Sequence, residues 1–156
     1  MTAFHIRRFR FVWPALLAAL LSGCGDGRPR RVPVAGQIRI DGKPLTKGFI
    51  RVVPERSRAA TGAIDQDGRF RLTTFEPNDG CVTGTHRAEV VAYETVSLSA
   101  IRWLVPAKYQ KADTSEIIVT IDGPTDELLI ELTWAGGQPY IERLETAGDS
   151  DPNKLQ

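Results

Sequence analysis

Histidine is nearly absent from this chain, cysteine occurs twice, and no apolar run reaches the length of a membrane-spanning helix. Each shortage removes a class of function. Past the N-terminal stretch the only histidine is His86. A hydrolytic triad needs a base that titrates near neutrality beside a nucleophile, and zinc needs three or four ligands; one histidine and one thiol supply neither. Excess charge of one sign is missing too: 20 basic residues stand against 19 acidic ones. Arg7, Arg8 and Arg10 belong to an acid-free N-terminal segment, so the remainder is slightly acidic and carries no basic footprint for nucleic acid. There is no internal repeat, no convincing helical periodicity beyond the N-terminus, and no phosphate-loop spacing around Gly136-Gly137. No cofactor is implied. With 156 residues the chain holds one domain.

The N-terminus is the most informative part. A basic stretch precedes residues 11–21, an apolar run of about 11 residues broken only by Pro14. As a helix it would span roughly 16 Å, against about 30 Å of bilayer hydrocarbon, which fits the apolar core of a signal peptide. Leu21-Ser22-Gly23-Cys24 closes it. This tetrapeptide resembles the lipobox of bacterial lipoproteins. The resemblance implies cleavage after residue 23, diacylglyceryl on the Cys24 thiol, and a mature protein held at a membrane of the cell envelope, facing the periplasm or the exterior. Two or three acyl chains, at about 0.8 kcal/mol per buried CH₂, hold far more firmly than one. The alternative is an ordinary signal peptide, or an uncleaved anchor, with an incidental cysteine, and only then does a Cys24–Cys81 disulfide remain open. With Cys24 acylated, Cys81 has no partner and is expected as a small apolar filler; a reactive thiol is its functional alternative.

The expected organisation is a signal peptide over 1–23, a flexible Gly, Pro and Arg tether over 24–33, a β-domain over 34–134 and a polar tail over 135–156. Inside the domain the pattern has period two. Val34, Gly36, Ile38 and Ile40 alternate with Ala35, Gln37 and Arg39, and the same alternation returns around Ile50 and Val52, Phe70 and Leu72, and Val119 and Ile121. It also marks His86, Ala88, Val90 and Ala92, and Leu128, Ile130 and Leu132. Asp41-Gly42, Asp67-Gly68, Asp79-Gly80 and Asp122-Gly123 supply turn signals between the runs. Six or seven short strands without helices predict an all-β fold, a single antiparallel sandwich behind the N-terminal signal helix. Residues 95–114 are the least regular and read as a packed crossover or a working loop.

Five motifs in order carry a second resemblance. Residues 32–45, VPVAGQIRIDGKPL, are followed by Val53-Pro54-Glu55, by residues 61–70 (TGAIDQDGRF), by Asp79-Gly80-Cys81-Val82-Thr83-Gly84, and by Val105-Pro106-Ala107-Lys108-Tyr109. Together they resemble small planctomycete-type lipoproteins with a carboxypeptidase regulatory-like domain, with Cys81 and Thr83 departing from that pattern. The resemblance covers 32–133 and implies a Greek-key, transthyretin-like sandwich of about seven strands. It implies no activity, since fold does not license function.

The expected function is therefore non-enzymatic: a lipid-anchored envelope module that binds or supports an envelope protein or glycan. Three groups of residues carry the alternatives. Asp65-x-Asp67-Gly68 spaces two carboxylates as calcium loops do, but lacks the later bidentate glutamate, so a hairpin turn in which Asp67 satisfies backbone donors is expected. An enzyme would need two acids joined across loops, such as Asp65 or Asp67 with Asp79. A carbohydrate module would use Trp103, Tyr109, Trp134 or Tyr140 as aromatic platforms. His86 is expected to be a packed, hydrogen-bonded strand residue, and Arg56-Ser57-Arg58 with Arg51 a solvated cationic loop.

Overall fold

In the apolar runs every second side chain leaves water while its neighbours stay in it, and this alternation builds the sheets. Ile50 and Val52 are buried between exposed Phe49 and Arg51, and Phe70 is buried between exposed Arg69 and Arg71. The computed structural model describes residues 27–143. The signal segment, with its expected helix, and Cys24 lie outside the described residues.

The elements in order are β1 (Arg31–Val32), β2 (Val34–Ile40), β3 (Lys43–Pro44), β4 (Gly48–Val53), β5 (Ala60–Ile64), β6 (Arg69–Arg71), β7 (Cys81–Val82), β8 (Gly84–Val91), β9 (Tyr93–Ser97), β10 (Ala100–Trp103), a 3-10 turn (Ala107–Gln110), β11 (Ile117–Ile121), β12 (Thr125–Leu132) and β13 (Tyr140–Arg143). The fold is all-β, with several sheets, none closed. One sheet has the order β11-β8-β4-β5 and is antiparallel throughout. The other is built on β2, which pairs with β12 along one edge and with β3 and β6 along the other. Ile38, Phe70, Ile130 and Leu132 from this sheet join Ile50, Val52, Val90, Val119 and Ile121 from the first in one apolar core. Gly36 lets β2 and β12 approach closely: a Cβ there would lie 1.9 Å from the Leu128 carbonyl oxygen.

Three expectations are corrected. The sandwich is not wholly antiparallel, because β2 and β12 run parallel. The chain crosses from β11 to β12 at the end where β2 begins, and the Thr125 amide donates to the Pro33 carbonyl (3.1 Å), so both strands start together. The tether is not flexible throughout: β1 pairs with β7 and buries Val32. The segment past residue 134 is not all loose tail, since β13 pairs with β10.

The registers define two ends. Gly84 at the start of β8 faces Ile121, and Val91 at its finish faces Phe49, a run of eight residues or roughly 26 Å. The near end gathers β1, β7, the 54–59 loop and the 74–80 loop. The far end carries the 65–68 turn and a separate three-stranded sheet, β13-β10-β9, which continues the chain beyond β8.

Candidate functional site: an aromatic sheet at the far end

Residues 95–114, expected as a crossover or loop, begin with a hairpin. β9 and β10 pair antiparallel, and β13 adds the third strand. In this register Trp103 lies opposite Tyr93 on one side and Tyr140 on the other. Directly opposed residues share a face of a sheet, so the three rings form a row across it. Tyr93 meets Trp103 edge-on, with centroids 5.5 Å apart, and Trp134 extends the row by meeting Tyr140 edge-on at 6.5 Å. These are the offset geometries that ring quadrupoles favour.

The row is held from both sides. Trp103 Nε1 donates to Glu142 Oε2 (2.6 Å) in the adjacent row of the same face. The Asp41 carboxylate accepts from Thr133 Oγ1 (2.8 Å) and from the Trp134 amide (3.3 Å), which fixes the segment carrying Trp134. On the opposite face Glu94 takes ion pairs from Lys47 (3.0 Å) and Arg102 (3.8 Å). Tyr93 remains 46% exposed and Tyr140 40%, and Leu98 at the hairpin tip is fully exposed. Tyr93 and Tyr140 thus turn aromatic surface to water on one face of the sheet, and Leu98 does so at the opposite end of the hairpin.

The sequence-based candidates divide accordingly. Trp103, Trp134 and Tyr140 come together. Tyr109 does not: it is buried in the core, and its hydroxyl accepts from the Thr133 amide (3.2 Å). Tyr93 was missed, because the alternation ending at Ala92 hid a new strand starting one residue later. Its signal was there in the β-forming run Tyr93-Glu94-Thr95-Val96 before Ser97-Leu98-Ser99.

At the 65–68 turn the carboxylate with a structural role is Asp65, not Asp67. Its Oδ1 accepts from the amides of Asp67 (2.9 Å) and Arg69 (2.8 Å). Asp79 is likewise occupied. Oδ1 accepts from the Thr74 amide (2.7 Å), Oδ2 accepts from the amides of Phe75 and Glu76 (3.1 Å each), and Arg31 Nε lies 2.8 Å from Oδ2. Burial by itself would raise this carboxyl's pKa, but the three amides and the arginine outweigh it and hold the pKa below the ordinary value. Of the three acids considered for chemistry, Asp65 and Asp79 are therefore committed to backbone donors, and Asp67 is not. Among the described residues no three His, Cys, Asp or Glu side chains group as metal ligands would.

His86 is half-buried on β8, and its Nε2 lies 3.0 Å from the Val82 carbonyl. Cys81 is fully buried, and burial pushes its thiol up to about 11, where it is a poor nucleophile at neutral pH. Arg51 pairs with Glu89 (3.0 Å). One concavity is an open groove of about 700 Å³ whose walls include Phe49, Asp65, Arg69, Arg71 and Asp126. Its walls hold no histidine, cysteine or serine. Comparison with known proteins finds no matching family, curated protein or solved structure.

Proposed function

We propose that the chain is a non-enzymatic, lipid-anchored protein of the bacterial cell envelope: a Greek-key, transthyretin-like sandwich tethered through acylated Cys24, which binds an envelope glycan with its aromatic sheet. The observation that carries the reading is the row of Tyr93, Trp103, Tyr140 and Trp134 at the end of the domain farthest from where the chain arrives from Cys24. The apolar faces of sugar rings stack on aromatic side chains, and Glu142 and Thr95 in the neighbouring row offer partners for sugar hydroxyls. The transthyretin-like assignment rests on the five ordered motifs, and the anchor rests on Leu21-Ser22-Gly23-Cys24 behind its basic and apolar stretches.

Two measurements test the reading. Mass spectrometry of the protein from its native membranes should find residues 1–23 removed and Cys24 heavier by two or three acyl chains; a cleaved Cys24→Ala protein that stays on the membrane refutes the anchor. Titration with solubilised peptidoglycan and with envelope polysaccharide should change tryptophan fluorescence in the wild type, and Tyr93→Ala and Tyr140→Ala should weaken the response. A response that survives both substitutions, or none with any glycan, refutes the glycan surface.

A further inference from the structure

The near end of the sandwich carries an arrangement that the binding surface does not use. Three guanidinium groups surround the ring of Phe75: Arg28 and Arg31 at 4.8 Å from its centroid and Arg58 at 5.7 Å. They come from separate parts of the chain, the residues leading into β1, β1 itself and the 54–59 loop, and converge on the 74–80 loop. Cations over a ring face are attracted by its quadrupole, and the ring allows several to gather without each needing a carboxylate. Arg31 and Arg28 also pair with Asp79 and Glu76. Arg30, Arg56 and Arg58 are exposed and have no acidic partner among the described residues.

Position gives the cluster its meaning. Arg28 stands four residues after Cys24, at most about 14 Å of extended chain. Accepting the acylated Cys24 proposed above, on which this inference rests, Arg28, Arg30 and Arg31 stand four to seven residues from the lipid, and Arg58 shares the Phe75 ring with two of them. The aromatic sheet lies at the other end of β8.

We propose that this arginine-ringed end of the domain docks on anionic phospholipid headgroups of the membrane that holds the anchor, so that the aromatic sheet projects away from the bilayer. The excess of charge is small, since Glu55, Glu76, Asp79 and Asp122 occupy the same end. A small excess is sufficient, because the acyl chains supply the affinity. Tethering makes headgroup contact an intramolecular step at high effective concentration, and the arginines need only select which end faces the membrane.

The test uses the mature full-length lipoprotein, reconstituted in vesicles of phosphatidylcholine alone or mixed with phosphatidylglycerol. Hydrogen exchange of the 54–59 and 74–80 loops should be about tenfold slower on the mixed vesicles, with residues 93–103 unchanged. High salt should erase the difference, and so should Arg56→Gln with Arg58→Gln, two exposed substitutions that leave the core untouched. Equal exchange on both vesicle types, with the protein still floating with the vesicles, overturns the docking and leaves the anchor intact. Protein that fails to float with either vesicle overturns the anchor, and the docking with it. Protection of the same loops by inorganic phosphate in neutral detergent would reveal a soluble-anion site instead and also overturn the proposal.

Discussion

The core sandwich and the three-stranded aromatic sheet are built from the same kinds of residue and solve opposite problems. In the sandwich Ile38, Ile50, Val52 and Leu72 are fully buried, and the strands owe their stability to the face they hide. In the outer sheet β13 is exposed along its whole length, and the rings of this region meet edge-on in two pairs, Tyr93 with Trp103 and Trp134 with Tyr140. The first region can lose almost nothing without loss of the fold. The second is free to be altered, which is what a surface available for recognition requires.

The largest expected effect lies in the sandwich. Gly36→Ala places a Cβ against the Leu128 carbonyl and should separate β2 from β12; Ile50→Ala leaves a cavity at a fully buried site and should destabilise by about 2–5 kcal/mol. Both are read by denaturant unfolding, and an Ile50→Ala midpoint close to wild type would erase the contrast between the regions. Gly68→Val comes next. Its φ is +74°, and a Cβ would meet the Ile38 carbonyl oxygen at 2.6 Å, so a loss of about 1–3 kcal/mol is expected.

Asp79 gives a pH-dependent effect of intermediate size. Its pKa in the folded protein lies below the unfolded value of about 3.9, so the stability it contributes is fully present above that value and is lost as pH falls through the folded pKa. Acid unfolding of Asp79→Asn should lack that part of the acid limb while keeping the rest, as titration by circular dichroism would show. In the outer sheet, Tyr140→Ala should cost the global midpoint less than about 1 kcal/mol. It should nevertheless speed hydrogen exchange in β13 and β10 alone, since an exposed strand opens locally. A global loss as large as that of Ile50→Ala would show that the sheet belongs to the core. The smallest effect is expected from Asp67→Asn, whose carboxylate makes no hydrogen bond within the described residues: a change within about 0.5 kcal/mol, the same with and without calcium, read by thermal melts. A calcium-dependent rise in melting temperature that Asp67→Asn abolishes would make the turn a cation site.

Much of this molecule was legible in advance. The period-two runs at 34–40, 50–52, 70–72, 86–92, 117–121 and 128–132 all fall on or directly beside strands, because alternation reports a face that will be hidden whatever it is hidden against. The positive φ of Gly68 followed from its Asp-Gly turn for a similarly local reason. The aromatic candidates were only half legible. Tyr109 and Tyr140 look alike in sequence, yet one fills the core and the other lies on an exposed strand, since that difference depends on what packs above each ring.

What the sequence determined by itself was local: the alternation that makes the chain all-β, and the shortage of histidine and cysteine. The tertiary structure decided everything that depends on partners distant in the chain. It set the parallel pairing of β2 with β12, because the direction of a strand is fixed by where the chain re-enters the sheet. It gathered Arg28, Arg31 and Arg58 around Phe75 from three segments, and it aligned Tyr93, Trp103 and Tyr140 across three strands. Side-chain periodicity is a property of one strand and survives in the sequence. Register between strands belongs to pairs of segments, and only the packed chain contains it.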